Sequence, residues 1–309
     1  KRDIHGAHFL NRLLPALALC VTVTALAARA VSGDLVVGLP RQVLGAATFS
    51  TNWLEIAAGQ SYFDQTAPTL FMNFWSLAVE EQFYLVWPLA AYALLRFVAS
   101  RHRPLLPAAA AVASAVAMAA LYVEGADSTR VYYGTDTHLM GLMIGAALAF
   151  AWSSEWHVRL ADLAARGRRW SGPAAIAALL ALMLVLSEAS AVTFRGGFAL
   201  ASLLTGVLVL ATVARTDAAG RPLPQTAWQR ILDAPAATWV GERSYGLYLW
   251  HWPVILIVDQ LLPTTPGTVE FAARSVLAVL AAGAIAEASY RLVETPVRRD
   301  GFRRTGRRL

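Results

Sequence analysis

The run FWSLAVEEQFYLVWP, residues 74 to 88, sets two adjacent carboxylates, Glu80 and Glu81, beside Gln82 and Tyr84 in a stretch otherwise apolar enough to cross a membrane. A carboxylate in or beside hydrocarbon costs about 2.5 kcal/mol or more, so one retained there is a functional candidate. Carboxylates accept and return protons, so the segment is a site candidate. At about 100° per residue, Ser76, Glu80, Tyr84 and Trp87 fall on one helical face while Glu81 points about a quarter turn away, so the two acids need not share a task. Pro88 removes the donor that the Tyr84 carbonyl would use, which predicts a kink beside the polar cluster.

Two further segments carry polar groups at the ends of apolar runs. In GTDTHLMGLMIGAALA, residues 134 to 149, Asp136 and His138 precede a glycine pair, Gly141 and Gly145. Histidine moves protons near neutral pH, Asp136 serves equally as a helix cap, and the glycines permit close helix packing. In GERSYGLYLWHWPV, residues 241 to 254, Arg243 and Ser244 open a run in which Tyr245, Tyr248 and Trp252 recur at helical spacing with His251 among them. A buried His of this kind can be satisfied by one helix neighbour, and Pro253 predicts a second kink. Near the end, Glu294 lies between Arg291 and Arg298, as a helix-end ion pair would, while Glu287 sits deeper and demands an Arg partner or a proton. No phosphate loop, dinucleotide fingerprint or GxSxG elbow appears, and the six His residues are too scattered for metal-ligand spacing, so neither a metal nor a bound cofactor is expected. Cys20 is a lone cysteine in an apolar run, read as a small buried hydrophobe.

These groups must be positioned by membrane helices. The chain is 57% hydrophobic and 15% charged with a mean hydropathy of +0.50, too apolar for an ordinary soluble domain. Eight regions have the length and apolarity of spans: 13 to 32, 71 to 97, 104 to 123, 137 to 152, 173 to 188, 194 to 214, 244 to 262 and 269 to 290. The expected fold is an all-α polytopic bundle of eight helices. With the amino terminus inside, 21 of the 26 Lys and Arg residues fall on the inner side, leaving only Arg29, Arg41, Arg130, Arg195 and Arg274 outside. Both termini are thereby placed in the cytoplasm, in the cytoplasmic membrane of the cell. Arg96 lies 16 residues beyond Glu80, roughly 24 Å along a helix, so the acid pair belongs to the outer half of the membrane.

The segment 33 to 70 is then an extracytoplasmic loop, carrying Trp53, Glu55, Tyr62, Phe63 and Asp64 as either sugar contacts or interfacial belt residues. The basic tail, 295 to 309, reads either as an anchor for anionic lipid or as a solvated tail. The net charge of +6 does not signal nucleic-acid binding, because the arginines sit in short clusters between apolar runs rather than on one face.

Taken in order, FWSLAVEEQFYLVWP, TDTHLMGLMIGAALA, ERSYGLYLWHWP and YRLVETPVRR resemble the successive signature segments of the acyltransferase-3 family, and NRLLPAL at 11 to 17 resembles the start of that family's third span. The resemblance runs over essentially the whole chain as one domain, 1–309. It implies a membrane O-acyltransferase of about ten spans that moves an acyl group, commonly acetyl from acyl-CoA, to a hydroxyl of a cell-envelope glycan or a glycosylated small molecule. On that basis Glu80, Glu81 and His138 are the catalytic candidates. Trp75, Ser76, Gln82, Tyr84, Asp136, Ser244, Tyr245, Tyr248 and His251 are the substrate-binding ones.

The eight regions match the family's third to tenth spans, so the first two, which in the family carry a basic His and an Arg, are expected to be missing from this sequence. His5 and His8 do not stand in such a span, and His138 occupies a place where many relatives have Arg. A separate extracytoplasmic partner protein would be needed for any two-domain relay. A proton-coupled transporter, which intramembrane carboxylates also serve, and an inactive truncated relative are the rival readings.

Overall fold

The computed structural model describes residues 5–59, 69–187, 190–217 and 219–300. Within them the chain is helical, with no strand beyond an isolated bridge between Thr216 and Pro222. The helices are α1 (His5–Val31), α2 (Leu39–Thr48), α3 (Thr51–Ala57), α4 (Phe74–Phe97), α5 (Leu105–Leu121), α6 (Thr129–Tyr133), α7 (Thr135–His138) and α8 (Met140–Trp152). They continue with α9 (His157–Gly167), α10 (Ser171–Val185), α11 (Phe198–Val213), α12 (Ala227–Leu232), α13 (Pro235–Leu261), α14 (Val269–Ser289) and α15 (Thr295–Asp300).

Each of the eight apolar regions is occupied by helix. Among the described residues, four stretches are long and apolar enough to cross a membrane: Leu13–Val31, Ser100–Leu121, Thr193–Val213 and Val269–Arg299. The bent pair α9 and α10, whose axes turn by 78° at the break, makes a fifth if the two count as one span. Helices α4 and α13, which carry most of the polar candidates, do not reach that threshold.

Both carry an internal proline, Pro88 in α4 and Pro253 in α13, and each helix continues past it. One lost hydrogen bond does not outweigh the need of the remaining backbone groups to pair inside the helix. The segment 33 to 70, expected as a loop, carries α2 and α3; Trp53 is partly exposed, whereas Glu55 is buried. Tyr62, Phe63 and Asp64 lie outside the described residues, as do most of the basic tail and the side chains of His5 and His8.

The described residues form two compact units, one made of 5–54, 69–78 and 238–300, the other of 55–59 and 79–237. In the first, Ala16, Leu17 and Cys20 of α1, Phe71, Phe74 and Leu77, Leu249 and Trp250 of α13, and Ala282 and Ala286 of α14 share one apolar core. Cys20 is fully buried there, its thiol 3.5 Å from the Leu249 carbonyl oxygen. The Gln42 side chain serves as a substitute ladder, donating to the Val37 carbonyl and accepting from the Phe71 amide at 3.0 Å each.

Within the second unit α8 packs on α5 and α11, and α11 packs on α10. A Cβ at Gly206 of α11 would come within 3.1 Å of Leu148 and 3.2 Å of Ile144, so Gly206 is what admits α8 so closely. That role was expected of Gly141 and Gly145. A Cβ added at Gly145 would instead meet no neighbouring element within 4 Å, and one at Gly141 would meet only Ser202, at ordinary contact distance. Both line an apolar groove of about 660 Å³ with Ile144, Ala201, Thr205 and Val209. The segment between α11 and α13 is fixed by polar contacts: Arg215 forks both Asp233 oxygens at 2.8 Å, and Thr226 with Gln229 forms a capping box on α12.

Candidate active site

The two acids of α4 have opposite surroundings. Glu80 is exposed and Tyr84 is 39% exposed, while Glu81 is 8% exposed. Its Oε1 is fully buried with no hydrogen-bond partner among the described residues. Helical spacing accounts for the difference, since Glu81 lies off the face shared by Glu80 and Tyr84. A buried carboxylate oxygen left unsatisfied is costly, and structures tolerate few of them.

Next along α4, Gln82 accepts a hydrogen bond at Oε1 from the Thr135 hydroxyl at 2.6 Å. This joins α4 to the TDTH segment within the second unit. Thr135 was not a sequence candidate; its only signal was its place beside Asp136. Below it, Phe83 stacks on Trp87 with centroids 5.0 Å apart, and Trp87 meets Phe150 of α8 at 6.0 Å.

Asp136 is taken up by Arg130, whose Nη1 and Nη2 reach its two oxygens at 3.0 and 2.8 Å. That guanidinium, helped by the backbone amides of the α7 turn, holds the carboxyl below the usual carboxylate range. A group with a depressed folded pKa contributes stability above its unfolded pKa and loses it as pH falls through the folded value. D136N is therefore expected to lower stability at neutral pH by less than about 1 kcal/mol, because both partners are well exposed. The deficit should close as the pH drops below about 4. Thermal midpoints of the two proteins across that range check this, and a deficit unchanged at low pH would contradict it.

His138 occupies different surroundings. Its ring lies edge-on to Tyr132 at 5.4 Å and to Phe198 at 5.2 Å, and it is hydrogen-bonded to the Tyr132 backbone.

The remaining candidates lie in the first unit. Trp75 is buried, and Ser76 Oγ pairs with the Tyr248 hydroxyl. The Asn73 Nδ2 donates to the Tyr248 carbonyl at 2.8 Å, and the Tyr248 hydroxyl donates to the Asn73 carbonyl. His251 Nδ1 meets the same Tyr248 carbonyl oxygen at 2.7 Å, and Trp252 donates to the Thr69 carbonyl at 3.0 Å. Tyr245 reaches back to the Leu13 carbonyl of α1 at 3.1 Å. Ser244 is exposed and donates to Gly241, one turn earlier.

At the start of α13, Arg243 is buried between two aromatic faces, Trp239 at 4.8 Å and Tyr290 at 4.4 Å. It forks the Glu287 carboxylate through Nε and Nη2, and Arg291 also reaches Glu287. Glu287 thus has the cationic partners its position demanded. Glu294, expected at a helix-end surface between Arg291 and Arg298, is buried. It lies 5% exposed in the π-helical turn Tyr290–Glu294 and accepts from the Ser289 hydroxyl at 3.2 Å. The wider turn places Glu294 among the buried residues.

With these positions in hand, comparison with known proteins is decisive on one point. A family model described as an acyltransferase domain matches residues 8–287, nearly the whole chain. The chain belongs to the acyltransferase-3 family. It is 34% identical over 298 residues to a peptidoglycan O-acetyltransferase OatA of Listeria monocytogenes, covering 94% of this chain and 46% of that protein. It is 32% identical to the putative peptidoglycan O-acetyltransferase YrhL of Bacillus subtilis, covering 97% and 46% respectively. With the O-acetyltransferase OatA of Staphylococcus aureus it shares 29% identity over 95% of this chain and 47% of that one. The chain thus spans about half the length of these acyltransferase-3 relatives. No solved structure matches it.

Proposed function

We propose that the chain is the membrane domain of an O-acyltransferase that moves an acyl group, acetyl by analogy with the relatives' names, from acyl-CoA to a hydroxyl of a cell-envelope glycan of the peptidoglycan class. The observation that carries this reading is the family match over residues 8–287. In this reading all eight apolar regions cross the cytoplasmic membrane with both termini inside, in keeping with the Lys and Arg distribution. The α4 acids and Gln82 then belong to the outer half, where a glycan acceptor arrives.

Acyl transfer to an alcohol needs a group to take the hydroxyl proton and a donor or cation for the developing oxyanion. Glu81, buried with an oxygen in need of a proton or a donor, is the proton-handling candidate of the outer cluster. Glu80 and Tyr84, exposed on the same helix, are placed to hold a sugar at its hydroxyls. Thr135 fixes Gln82, and Arg130 with Asp136 braces the turn that carries Thr135. His138, between aromatic rings, supports this cluster. A separate extracytoplasmic partner that receives or relays the acyl group is compatible with this reading.

The test is transfer of labelled acetyl groups from acetyl-CoA in membranes containing the native protein, with envelope glycan as acceptor. O-linked label that is released by mild base and depends on the protein supports the reading. Absence of transfer, together with proton-coupled movement of an intact solute in the same vesicles, would replace the reading with transport.

A further inference from the structure

Residues 156 to 170, WHVRLADLAARGRRW, carry four arginines against one acid, Asp162, with a tryptophan at each end. On α9, at about 100° per residue, Arg159, Asp162 and Arg166 form one strip, Leu160 and Leu163 lie about a quarter turn to one side, and Ala161 and Ala164 lie roughly opposite the strip. The alanine face is the one that packs: Ala161 is fully buried, Ala164 is buried, and α9 meets α8 and α11. Leu160 and Trp156 line an apolar groove with Leu105 and Leu203. What faces outward is basic and apolar together. Arg159, Arg166 and Arg169 are exposed, Leu163 is 68% exposed and Trp170 78%. Asp162 is taken by Arg166, whereas Arg159 lies over the Trp156 ring, 5.9 Å from its centroid.

The elbow between α9 and α10 is held by side chains. The two axes turn by 78°. Trp228 of α12 donates from Nε1 to the Arg168 carbonyl at 2.9 Å and packs on Gly172, where a Cβ would come within 2.5 Å of the indole. The Arg168 guanidinium in turn donates to the Pro224 carbonyl. With α10 crossing the bilayer, α9 therefore lies close to the membrane plane. In that attitude the leucine flank faces hydrocarbon while the arginines reach headgroup level, and tryptophans at both ends suit the same depth.

We propose that α9 is an interfacial helix that gathers anionic phospholipid, with Arg159 and Arg169 pairing with headgroups of the inner leaflet. This rests on the eight-span reading above, which puts α9 and its arginines on the inner side. An anionic leaflet supplies both complements at once, negative charge for the arginines and hydrocarbon for Leu163 and Trp170. Through Arg168 and Trp228, the leaflet also fixes α12 and the segment before it.

The test uses the native protein in nanodiscs of phosphatidylcholine with a minor share of phosphatidylglycerol. A fluorophore is attached through L163C, while Cys20, fully buried, serves as the labelling blank in wild type. Quenching is compared with brominated chains carried by one lipid or the other at equal mole fraction. Brominated phosphatidylglycerol is expected to quench at least about 3-fold more strongly, and R159Q/R169Q to bring that ratio to about 1. Added salt should lower the ratio as well. The same label at L184C, where Leu184 is 88% exposed toward the other end of α10, should be quenched by both lipids alike. Equal quenching by the two lipids at position 163, or a preference that R159Q/R169Q leaves intact, would overturn the proposal. Quenching there by aqueous iodide and by neither lipid would also overturn it, leaving α9 in water and open to a soluble acidic partner. No lipid quenching at position 184 would take α10 out of the bilayer and overturn the span reading together with the proposal.

Discussion

Replacing Glu81 by Gln or Met is expected to lower acyl transfer by about 100-fold or more while leaving the thermal midpoint unchanged or raised. The two halves of that expectation come from the same observation. Glu81 is 8% exposed, and its Oε1 finds no hydrogen-bond partner among the described residues, so the carboxylate costs folding energy rather than supplying it. An apolar group of similar size removes that cost, as replacement of poorly satisfied buried charges commonly does. A residue that weakens the fold and is retained for chemistry should give stable, inactive variants. Glu80, exposed on the same helix, should give a smaller loss on substitution by Gln, no more than about 10-fold, felt mainly as weaker acceptor binding. Transfer assays paired with thermal scans in detergent check both acids. Full activity in E81Q would remove Glu81 from the mechanism, and a large drop in midpoint for E81M would mean that the carboxylate is structural after all.

The second large effect is expected at Arg243, and it is one of stability. Its guanidinium lies between the rings of Trp239 and Tyr290 and forks Glu287, so flat shape and fixed geometry matter as much as charge. Lysine keeps the charge but lacks the plane and the fork, so R243K should lower the thermal midpoint by nearly as much as R243A. Both losses should be several degrees. E287Q should fall less, since an amide oxygen still accepts from Arg243 and Arg291. An R243K midpoint indistinguishable from wild type would show that a point charge suffices and that the aromatic faces contribute nothing.

The sequence made the helices legible because hydrocarbon-length apolar runs admit almost no other structure. It also gave the demand of Glu287 for an arginine, since a deep carboxylate has few other options. It did not give the split between Glu80 and Glu81: periodicity separates their directions but does not say which direction is inward. Thr135 was invisible because one threonine near a helix start looks like any cap, and its bond to Gln82 spans 53 positions. The burial of Glu294 was not legible for a related reason. Charge alternation at a helix end points to a solvated ion pair only if the turn is α-helical, and nothing in YRLVE marks the extra residue of a π-turn. Gly141 and Gly145 carry the spacing of a packing motif, yet spacing alone does not tell whether a second helix fills the notch.

The lengths of α8 and α10 have a bearing on the membrane itself. At 13 and 15 residues they extend roughly 20 and 22 Å, against roughly 30 Å of hydrocarbon in an ordinary bilayer. Taken as spans, they leave a mismatch of several ångströms, which lipids relieve by thinning beside the protein. With α8 and α10 as spans, a polar headgroup approaching at that flank would cross less hydrocarbon than in the unperturbed bilayer.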